Sequence, residues 1–281
     1  MSGARIDRAS LPHQKPISPA QRVLKIDQKR KLIQALGRLL KRKKPPDAFL
    51  GILGNLLDGI QHKGVSLQDV TFYRARLMDT GAFTHTDCLR YPSPKYSRHG
   101  RLNKEGSPVF YAAFSPAASM VEISATVGKT IAIATIKELP GHDDRVRYFP
   151  IGMPTSSQYA TLARDKTEQL VHDYLNREMS KRVDKGEEHL YNSTIAIAEN
   201  FLGKPLWRLR ENTRSDTGLI YPSVKADQPL DANSYNVAMK PEVFDAHFRI
   251  VEVNSFEIIG VNDCRRVNHA TVEEDGKLNW A

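Results

Sequence analysis

Apolar residues recur at helical spacing in two adjoining stretches near the start of the chain. From Arg22 to about Leu40, the positions Val23, Ile26, Leu32, Ile33, Leu36, Leu39 and Leu40 predict an amphipathic helix that Pro45-Pro46 stops. Asp47 stands where it can cap a second helix with Phe49, Ile52, Leu53, Leu56, Leu57 and Ile60 on one face and Gly64 as its stop. Residues 21–64 therefore read as a helical hairpin. Residues 1–20 place Pro12, Pro16 and Pro19 among polar side chains and read as a flexible arm.

The pattern changes at about residue 65, where a main domain spanning 65–261 is expected. Val70 to Arg76 reads as a strand, and Thr84 to Gly106 as a polar loop. Pro108 to Phe114 is apolar and aromatic, so a second strand. Ser115-Pro116 signals a helix start, a hydroxyl cap followed by proline at the first helical position. That helix is expected to run to about Val127 with Glu122 in its interior. Lys129 to Ile136 reads as a strand, Thr161–Val183 and Glu187–Leu202 as helices, and Gly218–Tyr221, Asn236–Lys240 and Arg249–Val261 as strands. Residues 262–281 form a polar tail without a readable pattern. The fold class this implies is α+β.

Composition narrows the picture in two places. The formal net charge is +9, but its distribution is uneven. Ten of the 41 Lys and Arg residues, and only one of the 32 acids, lie between Arg22 and Lys44, leaving 31 of each sign elsewhere. A general polyanion binder would spread basic surface over its folded body. Here one helix carries the excess. Helix 22–44 is thus a solvated face, or a contact for an acidic partner, nucleic acid or anionic lipid. No apolar run approaches the ~20 residues of a membrane span, and the opening Met-Ser-Gly-Ala-Arg-Ile-Asp-Arg lacks an apolar signal core. A cytoplasmic protein is expected, with Cys88 and Cys264 as free thiols. Nine scattered histidines lack metal-ligand spacing, and neither a dinucleotide-fold glycine motif, a P-loop nor a Gly-x-Ser-x-Gly elbow occurs.

Four segments carry candidate chemistry: Tyr73-Arg74-Ala75, Gly100-Arg101-Leu102-Asn103 running on through Gly106-Ser107-Pro108-Val109 to Phe110-Tyr111, Glu122, and Gly218-Leu219-Ile220-Tyr221-Pro222-Ser223-Val224. Taken singly, each has an ordinary reading. Arg74 could sit at a strand edge, Arg101 could be solvated, Tyr111 could be core, Glu122 could face solvent, and Ser223 could close a turn. Their order and context resemble the RES-domain family over roughly residues 70–250, although His99 and Leu102 stand where the family often has glycine and an aromatic. The resemblance implies an enzyme that attacks NAD⁺, usually the toxin of a bacterial toxin–antitoxin pair. Its fold would be ADP-ribosyltransferase-like, a curved β-core with flanking helices. It assigns catalysis to Glu122, Arg74 and Ser223, and NAD⁺ binding to Arg74, Arg101, Asn103, Tyr111 and Tyr221. NAD⁺ would be the substrate, with no metal, and a separately encoded Xre-like antitoxin would be the partner.

These residue types suit that chemistry. Guanidinium groups match a pyrophosphate, aromatic rings can bracket nicotinamide, and a carboxylate stabilises an oxocarbenium-like ribose, as in glycoside cleavage. The expected activity is cleavage of the nicotinamide–ribose bond by hydrolysis or phosphorolysis. Transfer of ADP-ribose to a protein is the alternative, and a non-catalytic nucleic-acid-binding module built on the basic helix is the opposing class.

Overall fold

The basic amphipathic segment forms helix α1, Ile26–Lys41, and the more apolar one forms α2, Asp47–Leu57. The computed structural model describes residues 24–79, 81–142, 145–154, 157–160, 162–203, 216–225, 235–260 and 263–281. The arm expected at 1–20 lies outside these. Asp47 is the first residue of α2 rather than its cap, because its carboxylate pairs with Lys104 instead. The unexpected feature of the hairpin is Lys29. Although it belongs to the basic face, it is fully buried. Its ammonium donates to the carbonyls of Asn55, Leu56 and Asp58 at 2.9, 2.7 and 2.7 Å. Those carbonyls end α2 and have no helical partner, so a cation there satisfies them and opposes the helix dipole. Burial pulls the Lys29 ammonium down to about 8, with Asp58 acting the other way.

Among the described residues, nine strands form one mixed sheet in the order β4-β5-β6-β2-β1-β3-β7-β8-β9. They are β1 Thr71–Leu77, β2 Phe110–Ala113, β3 Thr130–Glu138, β4 Val146–Pro150, β5 Asp216–Pro222, β6 Tyr235–Met239, β7 Phe248–Gly260, β8 Asp263–Val272 and β9 Leu278–Trp280. The other α-helices among the described residues are α3 Pro116–Glu122, α4 Lys166–Met179, α5 Asn192–Leu202 and α6 Pro241–His247. The fold is α+β with an N-terminal helical pair, as the pattern implied. The polar tail expected at 262–281 is corrected: β8 pairs antiparallel with β7, and β9 pairs with β8. Among the described residues only Ala270 and Leu278 are buried here, with Val272 and Trp280 partly covered, so the apolar signal is too sparse to read as alternation.

The hairpin is not an appendage. Leu36, Phe49, Leu53 and Leu56 share one apolar cluster with Val171, Tyr174 and Leu175 of α4, Phe201 of α5 and Leu219 of β5. A second cluster joins Phe72, Phe110, Tyr148, Val237, Phe244 and Phe248. A small third one holds Ala75, Ile131, Ile133 and Ile258, with Met120 and Ile123 packed against it. No helix among the described residues is long and apolar enough to cross a membrane.

Candidate active site

β1 and β2 meet through a single partner pair, Tyr73 with Ala113. On their other sides the two strands are fully laddered, β1 to β3 over seven pairs and β2 to β6 over four. The sheet therefore parts between β1 and β2, and Arg74 fills the opening. Its Nη1 donates to the Tyr111 carbonyl, an acceptor that an unbroken ladder would have used, and its guanidinium lies 5.4 Å from the centre of the Phe110 ring. Across the strands Tyr73, Ala113, Asn236 and Tyr221 stand in one row, so they share a face of the sheet. A cleft of about 640 Å³ opens over that row and is bordered by Arg74, Arg101, Tyr111, Glu122, Tyr221 and Asn236. This size lies within the ~300–1,000 Å³ range of small-molecule sites.

Glu122 is brought there by α3. Ser115 caps this helix, accepting from the Ala118 amide at 3.1 Å, with Pro116 following as the sequence suggested. The helix ends at Glu122, not near Val127. Ser124 adopts a φ of 50°, and the Glu122 carbonyl accepts from Lys225 Nζ at 2.6 Å in place of a further helical amide. Glu122 is thus the last helical residue. Met120 and Ile123 pack on the small apolar cluster, which turns the carboxylate toward the cleft. There its Oε1 accepts from Ser223 Oγ at 2.6 Å and from Asn236 Nδ2 at 2.6 Å. Ser223 is buried and does not border the cleft, so its contact with the cleft runs through Glu122.

Arg101 is held by its backbone and left open at its head. Thr194 of α5 donates to its carbonyl, while Nε and Nη2 are buried with no partner among the described residues. The guanidinium lies 5.4 Å from the Tyr221 ring centre. Burial lowers its affinity for a proton, against the pull of Tyr221 and Glu122. Burial, then the Arg76 charge, takes Arg74 down to about 10, still cationic at neutral pH. Burial, joined by the Glu122 charge, raises the Tyr221 phenol well above its ordinary value, so it stays neutral. Two guanidiniums that border one cleft and keep unsatisfied donors make it receptive to an anion, because a buried unpaired donor is costly.

Asn103 and Tyr111 act inside the loop. The Asn103 amide donates to Ser97 Oγ and to the carbonyls of Arg98 and Lys104. Its Oδ1 accepts from Tyr111 OH at 2.8 Å, and that hydroxyl accepts from the Leu102 amide. The stretch expected as a polar loop is accordingly a packed one, with Leu89, Leu102, Ser97 and Asn103 buried. Gly100 is required by this closeness, since a Cβ there would lie 2.5 Å from Asn103 Oδ1. The structure thus brings Arg74, Arg101, Asn103, Tyr111, Glu122 and Tyr221 to one cleft, sets Ser223 behind Glu122, and uses the Asn103 amide donors inside the loop. Sequence reasoning missed Asn236. The available signal was a single amide in Tyr-Asn-Val-Ala-Met, a strand otherwise free of polar side chains beyond its tyrosine. Among the described residues, no group of three or more His, Cys, Asp or Glu side chains could hold a metal ion.

Comparison with known proteins bears on the same region. The sequence model of one family, described as the RES domain, matches residues 71–258, from β1 through nearly all of β7. No curated protein and no solved structure matches the chain.

Proposed function

The chain belongs to the RES-domain family, and from that premise we propose that it cleaves the nicotinamide–ribose bond of NAD⁺. The observation that carries this reading is one carboxylate, Glu122, held by two donors at the edge of a cleft that also presents two guanidiniums and a neutral tyrosine. In the proposed reaction the C1′–N bond breaks and its electron pair leaves with the nicotinamide nitrogen. The leaving group goes from cationic to neutral and needs no proton. The ribose carbon develops oxocarbenium character, and Glu122 supplies the opposing negative charge. Arg101 and Arg74 are assigned to the pyrophosphate, and Tyr221 to the flat ring system. Water or phosphate then adds to the ribose carbon. Addition of water releases a proton.

Support for a toxin role, with a separately encoded antitoxin as partner, comes from the family. Transfer of ADP-ribose to a protein would use the same bond cleavage with a different acceptor. Incubating the purified chain with NAD⁺ and assaying free nicotinamide tests the core of the proposal. Mass spectrometry of the second product then separates ADP-ribose, its phosphorylated form and a modified protein. Absence of nicotinamide, together with salt-sensitive DNA binding, would instead favour the nucleic-acid-binding reading.

A further inference from the structure

Glu122 has two carboxylate oxygens, and the structure treats them differently. Oε1 receives both Ser223 Oγ and Asn236 Nδ2, each at 2.6 Å. Among the described residues, no hydrogen bond reaches Oε2. We infer that Asn236 is a positioning residue, which locks the plane of the Glu122 carboxylate and so selects Oε2 as the oxygen facing the substrate. This inference rests on the NAD⁺-cleaving reading.

Three features support it. The last torsion of a glutamate is broad, so an unheld carboxylate would sample many orientations. Asn236 is itself immobile: it is 2% exposed and is flanked in the ladder by Ala113 on β2 and Tyr221 on β5. A carboxylate accepts hydrogen bonds and cannot donate them, so the Asn236 amide must present its NH₂ group to Glu122. The Ser223 hydroxyl, which rotates, cannot impose a plane in the same way. Lys225 completes the arrangement from the main chain, tying the Glu122 carbonyl and Ser124 Oγ to the loop that follows β5. Backbone and side chain of one residue are therefore held by partners about a hundred positions downstream.

The test compares wild type with Asn236→Leu and Asn236→Ala, each checked for folding by its melting curve. Both remove the NH₂ donor and add no charge beside Glu122. Leu keeps the volume of the side chain, and Ala is the control if the larger apolar variant folds poorly. A misaligned reacting group commonly costs ~10²-fold. Both variants should therefore lose about that much kcat for nicotinamide release, with KM little changed. Near-normal kcat in either folded variant, or a loss confined to KM, overturns the positioning role and leaves NAD⁺ cleavage standing. Wild-type protein that releases no nicotinamide overturns both.

Discussion

Replacing Glu122 by Gln removes one negative charge while leaving its contacts available. A glutamine carbonyl at the Oε1 position still accepts from Ser223 and Asn236, which both donate to that atom. The NH₂ group then takes the place of Oε2. The helix and its apolar anchors, Met120 and Ile123, are untouched. What changes is the electrostatics at the reacting carbon. At an effective dielectric of about 20, a unit charge about 4 Å from a developing cation contributes about 4 kcal/mol. Each ~1.4 kcal/mol is tenfold in rate, so the upper limit is a loss of about 10³. Loss of one preorganised group commonly costs ~10²–10³, which agrees. The measurement is single-turnover release of nicotinamide at saturating NAD⁺, with thermal melting as the control for folding. A variant with an unchanged melting curve and turnover within about tenfold of wild type would remove Glu122 as the charge that stabilises the transition state.

Three further outcomes are expected. Arg101→Ala should weaken NAD⁺ binding about tenfold or more, through loss of charge-assisted phosphate contacts. The same change at exposed Arg182 should leave affinity unchanged, and calorimetric titration giving equal affinities would reject the phosphate role. Lys29→Met should cost about 2–3 kcal/mol in denaturant unfolding, because hydrogen bonds from a charged donor to the α2 carbonyls vanish; a loss below about 0.5 kcal/mol would mean that water serves those carbonyls as well. Glu168 accepts from the Arg164 side chain and from the Arg164 and Gln61 amides. Burial pushes its carboxyl up, but these bonds outweigh burial and take it from 4.5 to about 2. Its stabilisation is therefore present above about pH 4.5 and lost as pH falls toward 2. The melting gap between wild type and Glu168→Gln should close over that window, and a gap constant with pH would contradict the assignment.

The helical hairpin and the Ser115-Pro116 start were legible because each rests on local chemistry, spacing or a cap; Arg74, Arg101, Tyr111, Glu122 and Ser223 each have an ordinary reading alone and were singled out by their order along the chain. What escaped depends on register. β4 is five residues long and pairs parallel with β5, so nothing in its own sequence announces it. β8 exposes Arg265 and Arg266 and buries only Ala270, so its apolar positions are too few to announce a strand. Asn236 acquires its meaning only because β6 lies between β2 and β5, which sets its amide beside a carboxylate 114 positions earlier. The extent of α3 was overestimated because the residues after Glu122 are compatible with a helix. A contact from Lys225 at the helix end goes with the stop there, and such long-range partners leave no local trace. Lys29 is likewise indistinguishable in sequence from the other cations of its helix, because the carbonyls it meets belong to the next one.

The shared core of hairpin and main domain also bears on how the chain is made. Leu53 and Leu56 leave the ribosome early, yet they pack with Tyr174, Leu175 and Phe201, which are synthesised more than a hundred residues later. At translation rates of about 5–20 residues per second, the apolar face of the hairpin waits roughly six to thirty seconds for its partners. During that interval α1 and α2 have only each other, while the Lys29 clamp can already form because both its ends lie within the first 58 residues. The clamp thus closes a local unit before the long-range core exists, and the dense positive charge of α1 keeps neighbouring nascent chains apart while that core is incomplete.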